Sequence, residues 1–223
     1  MSYILHIETS EPICSVALSH NSILLHEINS DKENTHAAHL TVLIQQLLEL
    51  CQIKIKQLNA VAVSAGPGSY TGLRIGVSTA KGICHALNIP LISINTLQAM
   101  ANGIIKSSEN NLYCPMIDAR RIEVYCALFD ANLITILKED ARVIDKNIFE
   151  DALNSKTILF FGSGAEKCKS IILHNSAIFL NDYLHTAKNM VTIAHSNFIK
   201  NQFVDLAYFE PNYLKNFYTR QTV

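Results

Sequence analysis

The segment best equipped for chemistry is Gly66-Pro67-Gly68-Ser69-Tyr70-Thr71-Gly72-Leu73-Arg74-Ile75-Gly76. It follows a short apolar run, Ala60–Ser64, and opens a helical pattern lasting to about Leu87. Glycines permit positive φ and close backbone approach. The free N–H groups and dipole of a helix start favour an anion. One reading is therefore a phosphate cradle, although the Walker spacing GxxxxGK[ST] is not matched. The other reading is a strand-to-helix connection whose glycines serve packing. Gly72 and Gly76 share one helix face, continued by Thr79 and Ala80. A face of small residues admits a close neighbouring helix, which favours packing.

Other reactive side chains are sparser. His36 and His39 stand three apart at a helix start, where they share a face. With no local third ligand, a surface or packing role is expected rather than a metal site. Asp118, Arg120 and Glu123 form a compact charged set. An Arg–carboxylate pair there either fixes a hairpin or faces a cleft, and structural pairing is the favoured reading. Cys14, Cys51, Cys84, Cys114, Cys126 and Cys168 are scattered with no CxxC. They read as buried free thiols, and neither zinc nor any cofactor is expected.

The positioning elements come from 223 residues, 49% of them apolar, enough for one large domain or two lobes around a cleft. With 18 basic against 19 acidic residues, a stand-alone nucleic-acid binder is not expected. The chain starts directly on an alternating strand, with no signal pattern and no run long enough to span a membrane, so a cytoplasmic protein is expected. Strands are predicted at Tyr3–Thr9, Cys14–Ser19, Ser22–Ile28, Ala60–Ser64 and Leu91–Ile94. Helices are predicted at Ala37–Cys51, Thr71–Leu87 and from an N-cap at Thr96 to about Ile105. The polar stretch Lys106–Asn111 marks a boundary between lobes 1–106 and 112–223. Beyond it the pattern restarts with strands Leu112–Ile117, Ile122–Phe129, Leu133–Leu137 and Thr157–Phe161, and helices Lys146–Leu153 and Ala187–Asn201. Each half opens with a strand, a short turn and an antiparallel strand, then alternates helix with strand. That repetition suggests an α/β, two-lobed actin-like, sugar-kinase-like ATPase (ASKHA) fold.

The run Gly66–Gly76, continued by Val77-Ser78-Thr79-Ala80-Lys81-Gly82, closely resembles the signature of the TsaB (YeaZ) family. Ile4–Ser10 followed by Cys14–Leu18 is similar to that family's opening hairpin. His39-Leu40, Asp118–Arg121 with Glu123–Tyr125, and Pro211 with Tyr213-Leu214 match in order. The resemblance spans nearly the whole chain and is weak between about Ala131 and Leu206. It implies two actin-like lobes and a non-catalytic subunit that binds the catalytic TsaD, with TsaE joining. The complex threonylcarbamoylates the tRNA adenosine next to the anticodon, using an adenylate from a separate synthase. tRNA would be met only indirectly, through the complex. The resemblance also implies that TsaD's metal site is lacking; its histidines have three residues between them, where here only Ala37-Ala38 intervene. Glu8 stands where the family usually has Asp, the carboxylate that organises magnesium in nucleotide-binding relatives. Its extra methylene favours a carboxylate bonded within the strand turn.

The first helix points to a partner. Leu40, Leu43, Ile44, Leu47, Leu48, Leu50 and Cys51 cover an arc of about 160°, where a helix on a sheet needs about 100°. The excess is read as a second packing surface, with deeper burial in the chain as the alternative. The expected interface is Leu40, Leu43, Ile44, Leu47, Gly72, Arg74, Gly76, Thr79, Ala80 and Ile83. A homodimer through the same helices is expected for the isolated chain. The rival functions are a nucleotide-dependent phosphotransferase or ATPase of the same fold, which Glu8 weakens, and a metallopeptidase, which lacks a ligand triad.

Overall fold

The structure, a computed structural model, describes residues 2–30, 36–105 and 110–215. Strand β1 (Tyr3–Glu8) pairs antiparallel with β2 (Ser15–His20), which pairs with the edge strand β3 (Ile23–Asn29). On the other side β1 pairs parallel with β4 (Ala60–Ser64), and β4 with β5 (Leu91–Ile94), completing the order β3-β2-β1-β4-β5. Strand β4 is buried at every residue, as expected where helices cover both faces of a sheet.

Helices α1 (His36–Leu50) and α2 (Tyr70–Leu87) cover one face, packing on Leu5, Ile7, Val16, Leu18, Val61 and Val63. Ser69 caps α2 by accepting from the Gly72 N–H, and Asn88, left-handed at φ 53°, closes it. Helix α3 (Thr96–Asn102) begins one residue later than its cap, Asn95, whose side chain accepts from the Gln98 N–H; the predicted cap, Thr96, is its first helical residue.

The second sheet has the order β10-β9-β6-β7-β8. Its strands are β6 (Asn111–Asp118), β7 (Glu123–Phe129), β8 (Thr135–Val143), β9 (Thr157–Phe161) and β10 (Ala177–Phe179). Helix α4 (Glu150–Ser155) overlaps the predicted Lys146–Leu153, starting and ending later, and covers one face, bringing Leu153 beside Phe149 and Phe160. The other face (Tyr113, Ile117, Ala127, Phe129 and Phe161) packs on Leu97, Met100 and Ala101 of α3. A helix of the first half thus forms the apolar joint between the two sheets.

Of the expected boundary, 106–111, residues 106–109 lie outside the described residues. Not all of the chain beyond 112 stays with the second sheet. A 3₁₀ turn (Ala187–Met190) and α5 (Val191–Ile199) return to the open face of the first sheet, burying Ala187, Met190 and Ala194 against Ile4, Ala17, Ala62 and Ile92. The following segment stays there, with Val204 bridging Leu91 and the Asn212 N–H donating to the Ala65 carbonyl at 2.7 Å. Among the described residues no helix is long and apolar enough to cross a membrane.

Candidate functional site

The glycine-rich turn is filled by the chain itself. Gly66 holds φ +105°, and a Cβ there would lie 2.7 Å from the Asn212 carbonyl oxygen. The Ser69 N–H donates to the Ser10 carbonyl at 2.7 Å. A Cβ at Gly72 would stand 2.0 Å from the Thr9 carbonyl oxygen, and one at Gly76 2.2 Å from Thr9 Oγ1. The space a phosphate cradle needs is therefore occupied by the β1–β2 turn, and the glycines let that turn sit directly on α2.

Part of the expected interface lies inside the chain. Gly72 and Gly76 face Thr9 inside the chain, so a leucine at Gly76 tests the fold rather than a partner. Ala80 is fully buried, and Leu40, Leu43, Ile44 and Leu47 lie in the core between α1, α2 and the sheet. The wide arc of α1 is largely met by burial in the chain itself. Arg74, Thr79 and Ile83 do reach the surface. The Arg74 guanidinium stacks 4.1 Å from the centre of the Tyr70 ring, and its Nε donates to the Tyr213 hydroxyl at 3.2 Å.

Between α1, α2 and the loop after α1 lies a groove of about 490 Å³, lined chiefly by Ile44, Leu48, Ile53, Ile55, Thr79 and Ile83. Gln45, Glu49 and Lys54 also line it. An apolar core with a few polar groups is the composition of a binding surface.

The second feature is the cleft between the sheets. Glu8 is fully buried at the end of β1. Its Oε1 accepts from the Ser10 amide and hydroxyl, and its Oε2 receives His185 Nε2 at 2.7 Å. Burial pushes the Glu8 carboxyl up, but the His185 charge and the His185 and Ser10 hydrogen bonds outweigh it and hold the group below its ordinary value. Burial pushes His185 down, yet the Glu8 charge and hydrogen bond raise it overall. Each shift favours the charged form of its group, carboxylate for Glu8 and imidazolium for His185. His185 Nδ1 lies 3.2 Å from the Asn189 side-chain amide, which donates to the Tyr183 hydroxyl; that hydroxyl donates to the Met100 carbonyl. The bond to Ser10 is the turn contact expected for Glu8, and the one to His185 is additional.

At the cleft mouth Glu11 accepts from Ser163 Oγ at 3.0 Å, and its carbonyl contacts His36 Nε2 at 2.9 Å. The predicted set Asp118, Arg120 and Glu123 is paired, but its cations come from elsewhere: Lys167 for Asp118 and Lys215 for Glu123. Arg120 and Arg121 instead turn the β6–β7 hairpin with φ of 67° and 54°. Among the described residues no group of three or more His, Cys, Asp or Glu is placed to hold a metal ion. His185, Ser163, Lys167 and Lys215 were not foreseen. The local signals near them were the Gly162-Ser163-Gly164 turn that ends β9 and Pro211 with Tyr213-Leu214 beside Lys215.

A family model described as TsaD, tRNA N6-adenosine threonylcarbamoyltransferase, matches residues 22–218. The tRNA threonylcarbamoyladenosine biosynthesis protein TsaB of Escherichia coli (strain K12) is 30% identical over 226 residues, covering 96% of this chain and 94% of the relative. The protein of that name from Bacillus subtilis (strain 168) is 30% identical over 190 residues, covering 73% of this chain and 81% of its own. Among solved structures, YeaZ from Pseudomonas aeruginosa matches with a TM-score of 0.82 at 23% identity, over 96% of this chain and 100% of its own. An inorganic polyphosphate/ATP-glucomannokinase from Arthrobacter sp. strain KM matches with a TM-score of 0.50 at 8% identity, over 90% of this chain and 100% of its own. The fold is thus the expected two-lobed actin-like, sugar-kinase-like one. The chain belongs to the family that the matching model describes and, within it, to the TsaB (YeaZ) family.

Proposed function

We propose that the protein acts in tRNA threonylcarbamoyladenosine biosynthesis as a non-catalytic scaffold that binds TsaD, with TsaE joining the assembly. The names of its relatives support the pathway. The observation that carries the scaffold reading is the open apolar groove between α1 and α2, beside a cleft filled by the chain's own side chains. In that cleft Glu8, Glu11 and Asp118 act electrostatically on one another or on His185. Glu8 is fully buried and its two carboxylate oxygens are bonded to Ser10 and His185, so it is not free to organise a magnesium ion, which argues against an ATPase of this fold. With a net charge of −1, the chain offers little to hold tRNA by itself, so tRNA is met through the partner. The work is cytoplasmic on this reading.

The interface is carried by the outward residues Thr79 and Ile83 and the exposed Arg74, with the buried leucines of α1 shaping the wall behind them. Ile83→Arg and Thr79→Arg place a charge in the groove. Each is expected to weaken TsaD binding by about ten- to a hundred-fold, equivalent to roughly 1.4–2.8 kcal/mol, with little change in melting temperature. Co-purification and calorimetry with the organism's own TsaD, with and without TsaE and nucleotide, measure this. Unchanged affinity in both variants would remove the groove from the interface. The isolated chain is expected to pair through the same face, giving a dimer by light scattering at micromolar concentration that Ile83→Arg converts to a monomer.

A further inference from the structure

Residues 204–215 are bonded to both halves of the molecule. On the first half, the Val204 N–H donates to the Leu91 carbonyl at 3.0 Å and the Asn212 N–H to the Ala65 carbonyl at 2.7 Å. Lys81 of α2 donates to the Ala207 and Phe209 carbonyls at 3.2 and 3.1 Å. On the second half, Lys215 pairs with Glu123 of β7 and donates to the Ala119 carbonyl at 3.4 Å. The Asn212 side-chain amide donates to Glu139 Oε1 at 2.7 Å. Glu139 Oε2 accepts from the side-chain amide of Asn95, the cap of α3. Two carboxamides anchored in the first half therefore hold one carboxylate of the second.

Glu139 reaches them through an irregularity in its strand. Asp140 pairs with Cys126 and Leu137 with Leu128, so three steps along β8 match two along β7. The extra residue is a β-bulge. In a regular strand Glu139 would share a face with Leu137, and Leu137 packs on the core beneath α4. The bulge turns Glu139 to the opposite face, toward Asn95 and Asn212. Bulges commonly re-aim a side chain in this way. Hydrogen bonds to a carboxylate are also about twice as strong as those between neutral groups.

We propose that residues 204–215 and Glu139 form an interlobe clasp that holds the two halves in one fixed orientation. The apolar joint at α3 is a single helix, and lobes joined in such a way move against each other by default. Attachments outside that helix, at Glu139 and at Glu123, remove the freedom to rotate about it. The cleft that contains Glu8 and His185 lies between the same halves, so the clasp also keeps that pair enclosed.

The test uses the full chain and the residual dipolar couplings of its backbone amides, which report how each half is oriented and how far it moves against the other. In the wild type, both halves are expected to fit one alignment tensor of one magnitude. In Glu139→Ala combined with Lys215→Ala, the single tensor is expected to be lost and the two magnitudes to diverge. The Val204 and Asn212 amides, bonded to the first half, are expected to keep their hydrogen-exchange protection. That separates release of the second half from loss of the fold. A wild type that needs two tensors, or a double variant that still fits one, overturns the clasp. Should the double variant lose protection at Val204 and Asn212, Glu139→Gln decides. It keeps one acceptor oxygen and sets an amide group against the other donor. Diverging magnitudes in that variant support the clasp, and unaltered couplings overturn it.

Discussion

Replacing Gly72 with alanine is expected to destabilise the protein by about 3 kcal/mol, the upper end of the usual overpacking cost. Two effects oppose each other. Alanine in a helix interior is favoured over glycine by about 1 kcal/mol. Against that, the new Cβ would stand 2.0 Å from a main-chain oxygen, Thr9 O. No rotamer change moves a carbonyl oxygen, so the whole β1–β2 turn must shift, and with it the Ser10 groups that hold Glu8. The clash therefore wins. For a chain of this size the melting temperature is expected to drop by roughly 6–12 °C. Gly82 provides the control: a Cβ there meets nothing within 4 Å. Gly82→Ala is expected to gain about 0.5–1 kcal/mol. Equal stability of the Gly72→Ala variant and its parent in urea melts would show that the turn yields freely.

The second large effect is expected at His185. Both side chains of its ion pair with Glu8 are wholly inaccessible to solvent. Removing one member of such a pair leaves a buried charge and typically costs about 3–5 kcal/mol. His185→Ala is expected to show that loss at pH 6, a melting drop of roughly 6–20 °C. Replacing both members together, Glu8→Leu with His185→Leu, is expected to cost less than His185→Ala alone, because no charge remains inside. The pH dependence has two limbs. Glu8 is held below its ordinary 4.5, so its contribution is present above that value and fades as acid protonates the folded protein. His185 is held above its ordinary 6.5, so its contribution is complete below 6.5 and is lost as pH rises through the folded value. The pair therefore stabilises most between about 4.5 and 6.5, and stability is expected to decline on either side. A His185→Ala protein with the parent's pH profile would rule the pair out as its source.

The limits of reading this chain from sequence are physical. The glycine motif announced a close approach but could not say of what. The occupant, Thr9, is far from α2 in sequence, and only the parallel pairing of β1 with β4 brings it there. The apolar arc of α1 could be counted but its cause could not be read, because the spacing of apolar residues does not distinguish a partner from a chain that folds back. Strand β8 runs to Val143, six residues beyond the predicted end, through Lys138-Glu139-Asp140. At a sheet edge one face meets water, and its charged residues hide the pattern. His185 lies 177 residues from Glu8, in a loop without periodicity, so no local signal links the two. The central strands were legible because burial on both faces leaves a nearly continuous apolar run.

The return of α5 to the first sheet bears on how the molecule is made. During synthesis the first half emerges with one face of its sheet bare, and the residues that cover it, Ala187–Ile199, are translated only after the whole of the second sheet. Contacts between Ile4 or Ala17 and Met190 or Ala194 span most of the chain, so their closure comes late and slows folding. The second sheet, whose strands and covering helices lie between Thr96 and Phe179, can consolidate before the first is complete. Ribosome-bound intermediates would thus expose an apolar surface at the end made first, and a truncation after Phe179 would harm the N-terminal sheet more than the sheet beside the cut.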